Sequence, residues 1–210
     1  MTVPRLYLMT PELAETEPFA AGLASALSAG DVAAVLLRLD DGDERTLIDR
    51  AKAVAAMVQS RDIALLLDGR PELVARAGAD GAHLTGIEAL RAALPLLKPG
   101  RIAGVGGLRS RHDAMLAGDT EADYVMFGEP DRRFERAGRP PLAAVQERLQ
   151  WWAELFQPPC IGYAADRDEI RPIAQAGAEF VALGDWIWTE PGGAEEAVAR
   201  ASAALAAAFT

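Results

Sequence analysis

Short apolar runs recur along the chain, each followed by a polar turn and then by apolar positions at helical spacing. The stretch 63–84 shows the unit whole. Residues 63–67, Ile-Ala-Leu-Leu-Leu, are apolar throughout, the pattern of a strand covered on both faces. Asp68-Gly69-Arg70-Pro71 is a turn that opens a helix, because proline suits the first helical position. Leu73, Val74 and Ala77 fall at helical spacing, and Gly78 is placed to end the helix. Ala79-Asp80-Gly81 leads into a second short strand, 82–84. Strand, helix, strand with short loops is a βαβ crossover, which makes parallel strands. The ending returns twice: Glu121-Ala122-Asp123 precedes an apolar run at 124–127, and Ala176-Gly177-Ala178-Glu179 precedes another at 180–183. A small residue plus an acid before a short strand, three times over, points to a fold built from βα units.

Taken in order, strands are predicted at 6–9, 32–37, 63–67, 82–84, 102–105, 124–127, 160–162 and 180–183. Helices are predicted at 19–27, 44–58, between Pro71 and Gly78, and at 87–94, 110–116, 142–156, 166–176 and 194–209. Thr10-Pro11 is read as the end of the first strand and Pro95 as the stop of the fourth helix. Eight strands alternating with eight helices predict one (β/α)8 TIM barrel spanning 1–210, in preference to a doubly wound open sheet. The polar stretch 128–141, rich in arginine and proline, is the one loop long enough for a mobile lid.

The bulk numbers narrow the partners. Half the residues are apolar and 25% charged, as in ordinary soluble domains. A net charge of −10 argues against nucleic acid or an anionic membrane as a partner. The one cysteine, Cys160, excludes an internal disulfide and reads as a buried strand thiol. No signal peptide or membrane span is visible, so the expected location is cytoplasmic. There is no G-x-G-x-x-G and no P-loop, hence no nucleotide cofactor is expected.

In such a barrel the site lies where strands end and helices begin. The residues there are Arg38 and Asp40 after the second strand, Asp68 and Arg70 after the third, and Thr85 and Glu88 after the fourth. Gly106 follows the fifth; Glu129, Arg132 and Arg133 the sixth; Gly162, Tyr163 and Asp166 the seventh; and Gly184 and Asp185 the eighth. Gly162 and Gly184 end adjacent strands where barrels often bind phosphate; the alternative is that they only make tight turns, and Asp185 would repel an anion. Asp68 and Glu88 are candidate Mg²⁺ ligands, being hard oxygen donors, whereas Asp40 and Asp43 read as helix caps. His83, inside the fourth strand, reads as a packed or hydrogen-bonded core histidine, and His112 as helix surface. The only lysines, Lys52 and Lys98, lie in or after helices, which disfavours Schiff-base chemistry.

Ala77–Leu84 (AGADGAHL), 101–130 (RIAGVGGLRSRHDAMLAGDTEADYVMFGEP) and 174–185 (AQAGAEFVALGD) resemble the thiamine phosphate synthase and TenI group. The resemblance implies a small (β/α)8 barrel of thiamine biosynthesis, a homodimer, and Mg²⁺. Within it, Leu37 and Arg38 remain of a Q-L-R-x-K stretch that grips the pyrimidine substrate and its diphosphate, with Leu36 and Asp40 where that stretch has Gln and Lys. Asp68-Gly69-Arg70 stands for the N-D-R pattern whose aspartate binds Mg²⁺, and Glu88 for the second metal acid. Gly106-Gly107-Leu108 stands for a Ser/Thr-rich turn. Arg132 and Arg133 occupy the place of a T-x-T-K turn, and Gly162-Tyr163 and Gly184-Asp185 that of the phosphate turns. The tautomerase histidine of the group falls near Leu108, with His112 one helical turn away.

Three readings follow. One is a transferase joining a pyrimidine diphosphate to a thiazole phosphate with Mg²⁺ and release of diphosphate. In it Arg38, Asp68 and Glu88 bind Mg²⁺ or diphosphate. The second is a tautomerase or isomerase in which the acidic rim, with Tyr163 and His112, supplies the acid–base groups. The third is a non-catalytic relative that binds a small metabolite or a partner protein, with Gly106, Gly162, Gly184, Arg132 and Arg133 as phosphate contacts where the metabolite is phosphorylated. With Asp40 and Asp185 where cations or hydroxyls are wanted, the expectation is that thiamine phosphate is not made at a useful rate.

Overall fold

The computed structural model describes residues 2–130 and 138–209. Eight strands, β1 (Arg5–Leu13), β2 (Val32–Leu39), β3 (Ala64–Asp68), β4 (Gly81–Thr85), β5 (Ile102–Gly106), β6 (Tyr124–Phe127), β7 (Cys160–Ala164) and β8 (Phe180–Leu183), pair in sequence order and close β8 onto β1. Every pairing is parallel. The helices between them are α1 (Glu17–Ser28), α2 (Glu44–Gln59), α3 (Val74–Ala77), α4 (Ile87–Leu97), α5 (Arg111–Gly118), α6 (Leu142–Leu155), α7 (Ile170–Gln175) and α8 (Gly193–Ala208). This is the single (β/α)8 barrel that the alternation predicts.

Strand alternation sorts the apolar residues into two cores. Leu6, Leu8, Val35, Leu37, Leu65, Leu67, Ala82 and Leu84 point outward and pack under the helices. Tyr7, Met9, Leu36, Leu66, Tyr124, Met126, Ile161 and Ala182 fill the barrel. The acid found before three strands has a structural purpose. Asp80, Asp123 and Glu179 accept the N–H of Leu65, Ala103 and Cys160 at 2.7, 2.7 and 2.8 Å. Their own N–H groups donate to the carbonyls of the same three residues. Each acid thus ties the start of one strand to the start of the strand before it.

Two prolines behave differently from the expectation. β1 continues through Pro11 to Leu13, with a register shift against β2 between Met9 and Glu12. An irregularity of this kind accommodates a residue that has no N–H to give the ladder. Pro95 lies inside α4, which runs on to Leu97; Pro95 is exposed and one turn from the helix end, so the carbonyl it leaves without an intrahelical partner can turn to water. The third and seventh helices are shorter than read, each opening with a 3₁₀ turn (Pro71–Leu73 and Arg167–Glu169). Another 3₁₀ turn, Asp185–Trp188, follows β8. Of the expected lid 128–141, residues 131–137, including Arg132 and Arg133, lie outside the described residues.

Candidate functional site

A narrow well of ≈ 80 Å³ opens on the barrel axis at the C-terminal ends of the strands. Met9 and Leu36 form its apolar part, and Arg38, Asp68, His83, Thr85, Glu129, Tyr163 and Asp185 its polar part. It shares Arg38 and Asp68 with an outer hollow of ≈ 310 Å³ that also holds Glu12 and Arg70. It shares Thr85 and Gly107 with another of ≈ 430 Å³ that holds Glu88, Arg109 and Asp113.

Arg38 is an inward position of β2 and is 3% exposed. Its N–H donates to Thr10 Oγ1 at 3.0 Å. Its guanidinium donates to the Thr10 carbonyl and to the carboxylate of Asp185, which stands just past β8. A buried cation must be paired to be tolerated, and here the partners come from β1 and from the turn after β8. Asp68 ends β3 beside this pair. Burial, and then the nearby Glu12 carboxylate, push its carboxyl up to about 6, partly opposed by Arg70.

His83 lies next to Asp68 in register and is 4% exposed. Its Nδ1 is 2.9 Å from Tyr124 Oη, which is 2.9 Å from Tyr7 Oη. The imidazole stacks on the Tyr124 ring, 5.7 Å between centroids and 13° between planes. Burial pushes the imidazole down to about 4, so it is neutral at pH 7. Burial also raises both phenols, so they keep their protons.

Glycines in β5 make room for this arrangement. A Cβ on Gly104 would fall 1.9 Å from Tyr124 Cζ, and one on Gly106 would meet Glu129 Oε1 at 2.1 Å and His83 Nε2 at 2.9 Å. The Glu129 carboxylate also accepts the Gly107 N–H. Neutral imidazole, a carboxyl near 6 and a carboxylate around one well are groups that can hold or move a proton on a small ligand.

The structure brings Arg38, Asp68, Gly106 and Tyr163 of the expected residues to this well or its edge; Glu88, His112, Gly162 and Gly184 stand elsewhere, and Arg132 and Arg133 lie outside the described residues. Glu88 is exposed, bonds to Arg91 at 3.3 Å, and lines the ≈ 430 Å³ hollow. His112 is exposed in the first turn of α5. A Cβ on Gly162 would press on Ile173 and Leu149, so this glycine serves the packing of β7 against the helices. The space over Gly184 is filled by the Tyr163 phenol. Asp68 thus lines the well and Glu88 the neighbouring hollow. Among the described residues no three His, Cys, Asp or Glu side chains group closely enough to hold a metal.

Sequence reasoning missed His83 as a wall of the well, along with the two tyrosines behind it. The signal was present. Ala82 and Leu84 are the apolar pair expected to face the helices, so alternation turns Gly81, His83 and Thr85 toward the axis.

Fold and well together define a class: a (β/α)8 barrel with a polar mouth where such barrels carry their sites. The model of the thiamine monophosphate synthase family matches residues 6–187, and the chain belongs to that family, one of thiamine biosynthesis. It is 41% identical over 203 residues to the thiamine-phosphate synthase of Rhodospirillum centenum, covering 95% of this chain and 96% of that protein. It is 36% identical to the corresponding synthase of Hyphomonas neptunium, covering 92% and 90%. The thiamine phosphate pyrophosphorylase from Pyrococcus furiosus superposes with a TM-score of 0.80 over 98% of this chain and 97% of that one, at 19% identity, which is a likeness of fold. No helix among the described residues is long and apolar enough to cross a membrane.

Proposed function

We propose that the well binds a small heterocyclic metabolite of thiamine chemistry, and that this chain joins a pyrimidine diphosphate to a thiazole phosphate poorly. One observation carries the reading. Arg38, the well's one cation among the described residues, is bonded to Asp185, while Asp68 and Glu129 add two more carboxylates to the lining. Charge builds on a leaving diphosphate as its bond breaks, and cations aimed at it are what stabilise that charge. Asp40, where the resemblance wants a lysine, is exposed and binds its neighbour's N–H at 2.8 Å. A homodimer in the cytoplasm is part of the same reading, supported by family membership alone.

The identity to named synthases favours a second reading, an active Mg²⁺-dependent transferase. Arg70, which also bonds Asp41 at 3.4 Å and lines the adjoining hollow, would be an additional cation for it. The assay that decides is formation of thiamine phosphate from the two substrates with Mg²⁺ by the purified protein. Little or no product is expected. Robust turnover, lost in Glu88→Ala or Asp68→Ala, would replace the first reading with the second.

A further inference from the structure

Three side chains form a hydrogen-bonded line up the barrel axis, Tyr7, Tyr124 and His83, and the line has a direction. Tyr7 is 1% exposed and Tyr124 is its only hydrogen-bond partner among the described residues. A buried phenol proton left unbonded is costly, so Tyr7 donates to the Tyr124 oxygen. Tyr124 has one proton of its own and one remaining partner, His83 Nδ1. It therefore donates there, and Nδ1 accepts. A neutral imidazole with an accepting Nδ1 carries its proton on Nε2. The reverse polarity would leave the Tyr7 hydroxyl with nothing to donate to among the described residues.

The ring cannot swing away from this arrangement. It stacks on Tyr124, whose own ring lies in the slot over Gly104. Nε2 abuts Gly106, beside Glu129 Oε1, on the wall of the well. The groups facing the imidazole are Asp68 from β3, Gly104 and Gly106 from β5, Tyr124 from β6 and Glu129 just after it. The carboxylate is an acceptor, and so is any ligand atom seated in its place.

We infer that the Tyr7–Tyr124–His83 line fixes His83 as the Nε2–H tautomer, and that this N–H is the donor on which an acceptor atom of the ligand, a ring nitrogen or an oxygen, is seated in the well. The inference rests on reading the well as a ligand site. It makes His83 a ligand contact and Tyr7 and Tyr124 positioning residues that act through it.

The chain has two histidines, so protein labelled with ¹⁵N in histidine gives a simple spectrum, and His112→Asn assigns it. At pH 7 His83 is expected to carry its proton on Nε2. Tyr7→Phe removes the directing donor, so an Nδ1–H population should appear and affinity for thiamine phosphate should fall about five-fold, the order of one hydrogen bond. Addition of thiamine phosphate to the wild type should shift the Nε2–H resonance. His83→Gln, which keeps an N–H, should bind better than His83→Leu. An Nδ1–H tautomer in the wild type, or a folded Tyr7→Phe protein with an unchanged spectrum, overturns the inference and leaves the ligand reading standing. Binding without movement of the His83 signal does the same. If folded wild type binds no thiamine phosphate, both fall. Should Tyr7→Phe not fold, the wild-type tautomer and its response to ligand still decide.

Discussion

Asp68 and His83 sit side by side on β3 and β4, and burial moves them in opposite directions: the carboxyl up to about 6, the imidazole down to about 4. Their contributions to stability oppose one another in the same pH window. A carboxyl raised from 3.8 to about 6 binds its proton in the folded state first, so it adds stability as pH falls through that interval. An imidazole lowered from 6.5 to about 4 leaves the folded state with fewer protons than the unfolded one, so it removes stability as pH falls from 6.5 toward 4. Each shift corresponds to roughly 3 kcal/mol when fully developed, so the two nearly cancel. Asp68→Asn is therefore expected to raise stability at pH 8 and to make the protein steeply acid-sensitive between pH 6.5 and 4. His83→Gln should flatten or reverse that slope. Urea midpoints measured across this range check both, and equal slopes in the two variants would remove the argument.

At the scale of the elements, the acids before β4, β6 and β8 act as clasps between neighbouring strands. The N–H groups of Leu65, Ala103 and Cys160 lie near strand starts and have a carboxylate as partner. Hydrogen bonds to charged groups contribute about 1.5–3 kcal/mol each. Asp80→Ala is expected to cost on this order by urea unfolding, with Asp80→Asn recovering part because its amide oxygen still accepts. Asp119→Ala, at an exposed helix end, should be near neutral, and an equally mild Asp80→Ala would refute the clasp. These acids recur at one place in each βα unit, which is why the barrel was legible in the chain: strand and helix periods and the repeated ending are all local. Pro11 and Pro95 were misread because a local rule for proline takes no account of an irregular register or an exposed final turn. The site was less legible for the opposite reason. Arg38 meets Asp185 across 147 residues, and Tyr7 meets Tyr124 across 117. No local pattern in the chain announces either contact, and together they shape the charge and hydrogen bonding of the well.

For the molecule as a whole, charge sets what the mouth will accept. The net charge is −10, and the carboxylates of Glu12, Asp68, Glu129 and Asp185 surround an arginine already bonded to one of them. At about 0.01 M salt the screening length is about 30 Å, so remote acids add to the repulsion of an anion in the well. Near 0.15 M it shrinks to about 8 Å, and only the local carboxylates count. Thiamine carries a positive thiazolium, while its phosphate ester adds an anionic group of about −1.5 to −2. Thiamine is therefore expected to bind at least as tightly as thiamine phosphate at low salt. Raising the salt should weaken thiamine and leave thiamine phosphate unchanged or slightly tighter, so that the two converge. Calorimetric titration of both ligands at the two salt concentrations tests this. A mouth built to grip phosphate would behave in the opposite way, with the ester favoured more than about ten-fold at low salt and losing that advantage as counterions compete. That result would mean that cations outside the described residues, Arg132 and Arg133 first among them, outweigh the carboxylates of the well, and it would return the diphosphate chemistry of the named relatives to this chain.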